Sequence, residues 1–229
     1  MNLLPQIQRN QAILRGKAQL KPLKSGNKPE NTLVVIRHGS TDLNAESDER
    51  YRGWADVPLA QDGIKEIQDS LPALKKADLD GLISSDLSRT VDTAKIISKE
   101  LNVPILQITP ALRPWHLGQM TGQSVNTSTL KVLHTYIKDK PDVPVPGGES
   151  FNQFKTRVLR FIQQVQQKYP NDKIGIVTHH RNERLIQGWM DEGKPNNPLD
   201  VSPTPFMSKG IPPGSFTSHE IPPPQPLAK

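Results

Sequence analysis

The chain has 229 residues, a formal net charge of +6 and no cysteine. That excludes disulfides, thiolate catalysis and cysteine-ligated zinc, and it suits one sizeable α/β domain with tails. No apolar run approaches the ~20 residues that span a bilayer. No signal-peptide h-region is readable near Met1, so a cytoplasmic protein with no membrane span is the expectation.

The charge is unevenly placed. Residues 1–30 hold six basic side chains (Arg9, Arg15, Lys17, Lys21, Lys24, Lys28) against Glu30 alone, which leaves only +1 of the +6 for the rest of the chain. This segment, expected as a poorly ordered extension over 1–31, is a candidate site for an acidic partner. It therefore gives no reason to read the domain itself as a nucleic-acid binder.

In chain order, Leu33-Val34-Val35-Ile36 is a short, mostly β-branched run that reads as a buried strand and stops at Arg37-His38-Gly39. Residues 40–58 are polar and read as a loop. Asp62 is a candidate N-cap for a helix from Gly63 to Lys76. Leu82-Ile83-Ser84 is a second strand, followed by helical spacing from Leu87 to Leu101. Pro104-Ile105-Leu106 is a third strand, and 109–148 reads as irregular or partly helical. An amphipathic helix is expected over Phe151–Tyr169 (Phe151, Phe154, Val158, Phe161, Ile162, Val165). Ile174-Gly175-Ile176-Val177 is the next strand and runs into Thr178-His179-His180, with a helix from Asn182 to Met190.

Ten of the 22 prolines fall between Pro195 and Pro226, yet Ser215–Ile221 retains the pattern of an edge strand before a proline-rich tail at 222–229. Strands alternating with helices predict an α/β three-layer sandwich, its central sheet mostly parallel and helices on both faces. The domain is expected over 32–221.

In such sheets ligands bind beyond the carboxyl ends of the strands. The expected strand ends deliver Arg37, His38, Arg89 and His179 to one edge. Two arginines repel cations, so the set suits an anion better than a metal. Guanidinium groups grip phosphate oxygens in bidentate fashion, and an imidazole can act as nucleophile or proton carrier.

The chain resembles the histidine phosphatase superfamily, the phosphoglycerate mutase-like fold. The resemblance rests on Arg37-His38-Gly39 with Thr41 and Asn44, and on Tyr51-Arg52-Gly53-Trp54-Ala55-Asp56-Val57-Pro58-Leu59. Ser84 through Ala94 around Arg89, Pro146-Gly147-Gly148-Glu149-Ser150 with Arg157, and Val177-Thr178-His179 with Arg184 extend it in family order over about 33–190. It implies that His38 is the nucleophile, forming a phosphohistidine. It further implies that Arg37, Asn44, Arg89 and His179 hold the phosphoryl group, and that no metal or other cofactor is needed. The implied partner is a small phosphorylated substrate. The implied activity is a phosphoric monoester hydrolase; a weak or inactive phosphate-binding relative and a mutase-type phosphotransferase are the alternatives.

One departure matters. Many members carry Glu after Leu-Arg or Leu-Asn as general acid; here the sequence is Leu112-Arg113-Pro114, and proline has no proton to give. His116, two residues on, is the candidate replacement, with packing beside Trp115 as the competing reading. Asp86, Glu149 and His180 are further candidates. Arg181 and Arg184 extend the positive surface toward a larger anionic substrate, or else simply face solvent. Neither the substrate nor the oligomeric state is legible.

Overall fold

The computed structural model describes residues 31–44, 49–207 and 210–221. The expected basic extension, apart from the Asn31 backbone, and the proline-rich tail lie outside the described residues. Five strands form one sheet: β1 (Asn31–Arg37), β2 (Gly81–Ser85), β3 (Ile105–Thr109), β4 (Lys173–Thr178) and β5 (Phe216–Ile221), in the order β3-β2-β4-β1-β5. Four strands are parallel and β5 runs antiparallel along β1, as the edge-strand reading expects.

The helices are α1 (Gln61–Lys76), α2 (Ser88–Leu101), α3 (Thr127–Lys138), α4 (Phe151–Lys168) and α5 (His180–Asp191). Side chains alternate across a strand, so β1 feeds two cores. Val34 and Ile36 face one layer, with Ile67 and Leu74 of α1 and Ala94 and Ile97 of α2. Leu33 and Val35 face the other, with Phe154, Val158 and Ile162 of α4 and Leu185 and Trp189 of α5. The sandwich is thus filled from both faces.

The boundaries differ from the sequence reading in instructive ways. α1 starts two residues earlier than expected, with Ala60 rather than Asp62 at its N-cap; Asp62 sits in the first turn, where an acid suits the positive end of the helix dipole. Within 109–148, α3 is a full helix. Its signals were an Asn126 cap, whose side chain accepts from Ser128 and Thr129 N–H, and the apolar spacing Leu130, Leu133, Ile137. α5 begins at His180, not Asn182, so Arg181 lies in its first turn.

Register brings the strand ends level. β1 pairs with β4 as Ile36↔Val177 and Arg37↔Thr178, and β2 pairs with β4 as Ser84↔Val177. The His38 N–H continues this pattern onto the Thr178 carbonyl at 3.1 Å. Gly39 then packs directly on Gly63 of α1, and a Cβ on either residue would drive into the other loop's backbone. Gly39 is therefore a close-packing residue between strand end and helix start.

Candidate active site

His38 and His179 leave adjacent parallel strands in matching register, and their ring centres lie 5.2 Å apart. Both are buried. His38 Nδ1 is 2.7 Å from the Gly39 carbonyl oxygen. A carbonyl only accepts, so Nδ1 carries the hydrogen and Nε2 keeps its lone pair. Burial, followed by the charges of Arg89 and Arg52, holds the His38 imidazole well below its ordinary pKa; the hydrogen bond to Gly39 opposes this. A neutral imidazole with a free Nε2 is a nucleophile.

His179 has the opposite tautomer. Arg89 Nε donates to its Nδ1 at 3.3 Å, so the ring proton sits on Nε2, 3.0 Å from Ser85 Oγ at the end of β2. Burial and then Arg89 push His179 well below its usual pKa. Arg89 itself, in the first turn of α2, also donates to the Ala55 carbonyl at 2.7 Å and the Gly53 carbonyl at 3.2 Å. Desolvation brings its pKa down to about 9, which leaves it charged at neutral pH.

A cavity of about 250 Å³ opens on this group, and His38, Arg89 and His179 line it together. Arg52 lines it as well and donates to Thr41 Oγ1 at 3.1 Å. The sequence motif contained Arg52, but no role was read into it; the signal was a second basic residue beside the glycine that receives Arg89. Glu49 is the sole carboxylate among the described residues lining the cavity.

Arg37 occupies a different place. Its Nη1 donates to the Ile211 carbonyl at 2.6 Å, and it is not among the cavity-lining residues. Its buried Nε has no partner, and burial lowers its pKa to about 10. Its charge acts on His38 from behind. Asn44 closes the short 3-10 turn Asp42–Asn44, but its side chain lies outside the described residues.

Of the four candidates for the missing acid near Pro114, three (His116, Asp86 and Glu149) are not among the cavity-lining residues. His116 stacks on Trp54, ring centres 4.3 Å apart, and is not among the lining residues, whereas Pro114, Trp115 and Leu117 are. Asp86 receives both Arg113 Nε and Nη2 at 2.7 Å, a bidentate pair that is buried on both sides. Glu149 pairs with Arg157 and accepts the His116 backbone N–H at 2.9 Å. Arg157 also donates to the Ala111, Arg113 and Pro114 carbonyls, which pins the Leu112–Leu117 segment.

His180 does line the cavity. Burial, and then Arg37 and Arg181, push its pKa down to about 3. It therefore carries no imidazolium proton near neutrality.

Comparison with known proteins agrees with this geometry. The family model described as histidine phosphatase superfamily (branch 1) matches residues 33–204. A metal-independent phosphoserine phosphatase of Arabidopsis thaliana is 30% identical over 152 residues, 64% of this chain and 63% of that protein. The chain thus spans a little under two thirds of that relative. A 2,3-bisphosphoglycerate-dependent phosphoglycerate mutase of Rhizobium etli is 34% identical over 66% of this chain and 76% of its own length. The solved structure of a mycobacterial glucosyl-3-phosphoglycerate phosphatase superposes with a TM-score of 0.63 at 22% identity, covering 82% of this chain and 91% of its own, and shares the fold. No helix among the described residues is long and apolar enough to cross a membrane.

Proposed function

The chain belongs to the histidine phosphatase superfamily, and on that premise we propose that it is a metal-independent phosphatase acting through a phosphohistidine on His38. The observation that carries this reading is the His38 ring: buried, neutral, its Nδ1 hydrogen engaged by Gly39 and its Nε2 lone pair free beside two guanidinium groups.

In the first step the Nε2 lone pair attacks phosphorus, a P–N bond forms, and the P–O bond to the alcohol breaks. Arg89 and Arg52 offset the charge on the non-bridging oxygens. The alcohol oxygen leaves with the electron pair and takes its proton from solvent water. A second water then attacks the phosphohistidine and gives up a proton to solvent, the P–N bond breaks, and inorganic phosphate leaves while His38 regains its lone pair. His179, held by Arg89 and Ser85, forms the facing wall.

The weak point of the cycle is the leaving oxygen, since Asp86 and Glu149 are committed to arginines and position 114 is proline. This favours a specific form of the activity: fast on esters of acidic alcohols, slow on esters of ordinary ones. The same observation supports a second reading, a phosphate-binding protein with little turnover on alkyl esters.

The test is a steady-state series of aryl and alkyl phosphates with chelator present, for wild type and His38→Ala. The reading expects chelator-insensitive turnover that vanishes in the variant and falls steeply, about tenfold or more per unit of leaving-group pKa at the extreme. A flat leaving-group dependence of kcat/KM would mean that a proton donor operates in the cavity. No turnover of any ester by folded wild type would sink hydrolysis and leave the binding reading.

A further inference from the structure

Arg181, like Arg50 and Arg184, lines the cavity without a part in the hydrolysis. Arg181 lies two residues after His179, in the first turn of α5, and its side chain lines the cavity. Its Cζ is 5.3 Å from the centre of the Phe206 ring and 6.0 Å from that of Tyr51. Both rings are buried. Ring faces hold a guanidinium in position by attracting its charge, while its planar fork of N–H donors is left open.

Five other arginines around the site are engaged by oxygen acceptors, Arg52 by the Thr41 hydroxyl. Arg113 and Arg157 meet carboxylates, and Arg37 and Arg89 meet carbonyls. Among the described residues, no hydrogen bond or ion pair of the Arg181 guanidinium exists; only its two ring contacts do. The charge of Glu49 reaches it, but that carboxylate is exposed and acts on Arg37 and Arg52 as well. α3 adds Leu130, Leu133 and Ile137 to the lining, with His134 among them, and Leu117 joins this apolar stretch.

We propose that Arg181 is a specificity residue that binds a second anionic group on the alcohol half of the substrate, an alcohol whose apolar body lies along α3. This rests on the phosphatase reading, and it narrows the substrate to a phosphomonoester whose leaving group is apolar in its middle and negatively charged at its far end. A carboxylate and a second phosphoryl group share the required chemistry, because both accept a bidentate guanidinium. A chain that cleaved only small neutral esters would have no use for a cation fixed in this position.

The experiment compares matched ligands in wild type, Arg181→Gln and Arg181→Lys. Turnover is measured for phenyl phosphate, the 3- and 4-carboxyphenyl phosphates and the phenylene bisphosphates. Binding is measured by calorimetry for benzylphosphonate and its carboxylated analogues, which are not hydrolysed. Thermal melting checks that each variant is folded. Wild type is expected to favour the doubly anionic ligand, in its better-placed isomer, by about 10- to 100-fold in KM and Kd. Arg181→Gln brings that ratio close to one, and Arg181→Lys keeps part of it because the charge remains without the fork.

A larger preference for the bisphosphates would make the second group phosphoryl; a larger one for the carboxyphenyl esters would make it a carboxylate. Either result supports the assignment. Equal binding of neutral and carboxylated phosphonates by wild type, or a preference that survives Arg181→Gln, overturns it. Wild type that prefers the carboxylated phosphonate yet cleaves no ester would overturn hydrolysis while upholding the Arg181 subsite.

Discussion

The two ends of the segmented site treat charge in opposite ways. Around His38, the cationic groups Arg89 and Arg52 face buried neutral imidazoles, and Glu49 is the one carboxylate on the wall among the described residues. Around Leu112–Leu117, each buried or half-buried arginine meets a carboxylate: Arg113 with Asp86, Arg157 with Glu149. On the proposed function, residues of the same kinds serve as a receptor for an anion in one region and as a brace for a loop in the other. Desolvated cations cost stability and favour an anion beside them, whereas the Arg113–Asp86 and Arg157–Glu149 pairs fix geometry.

The comparison can be broken most directly by removing the nucleophile. His38→Ala should lower kcat by about 10⁴-fold or more on any ester, because covalent catalysis fails as a unit. Folding stability should shift by less than about 2 kcal/mol, since the variant also removes a desolvated imidazole. Urea unfolding beside the kinetic assay reads both effects. A large loss of stability with modest kinetic loss would assign His38 to the brace rather than the receptor.

The brace should behave in reverse. Arg113→Met leaves the buried Asp86 carboxylate without its bidentate partner and should cost about 3–5 kcal/mol, seen as a lower urea midpoint. Asp86→Asn together with Arg113→Met should recover part of that loss. If the single change is neutral, the pair does not hold the Leu112–Leu117 segment.

Acidity sharpens the contrast further. His38 and His179 lie well below the ordinary 6.5 in the folded chain, and His180 is pushed to about 3. Below 6.5 the unfolded chain therefore binds more protons than the folded one. Stability is complete above that value and declines as pH falls toward the folded pKa values, by up to about 1.4 kcal/mol per pH unit for each histidine. Urea midpoints compared at about pH 7.5 and about pH 5 test this. A midpoint that rises on acidification would contradict the neutral, buried assignment.

The smallest effect concerns His116. Its ring stacks on Trp54 away from the cavity lining, so His116→Ala should cost about 1 kcal/mol of stability and change kcat by no more than about twofold. A selective loss of about 100-fold on alkyl esters, with aryl esters spared, would instead make it the proton donor.

The sequence reached the receptor far better than the brace. His38 and His179 were legible because buried parallel strands announce themselves by β-branched runs, and a shared register then brings both strand ends to one edge. Arg89 was legible because it follows the next strand end by one helical turn. The fate of His116 was not, since the ring it stacks on comes from residue 54, sixty-two positions away, and no local pattern encodes that contact. The same holds for Asp86 and Glu149, which look like free acids until the fold supplies Arg113 and Arg157. Arg37 sat in the strongest motif of the chain, yet its guanidinium reaches back to Ile211, because the loop before β5 packs behind the site. α3 was missed as a whole helix although its cap and its Leu130–Leu133–Ile137 spacing were present; the glycines and prolines on both sides of 127–138 obscured them.

The central claim is that the free Nε2 of His38 takes up the phosphoryl group. Acid-labile, base-stable phosphoprotein, trapped by rapid alkaline denaturation during turnover of p-nitrophenyl phosphate and mapped by mass spectrometry, tests it most directly. The account predicts one phosphoryl group on His38 in wild type and none in His38→Ala. Turnover without any trapped phosphoenzyme, or a phosphoryl group found on another residue, would contradict it.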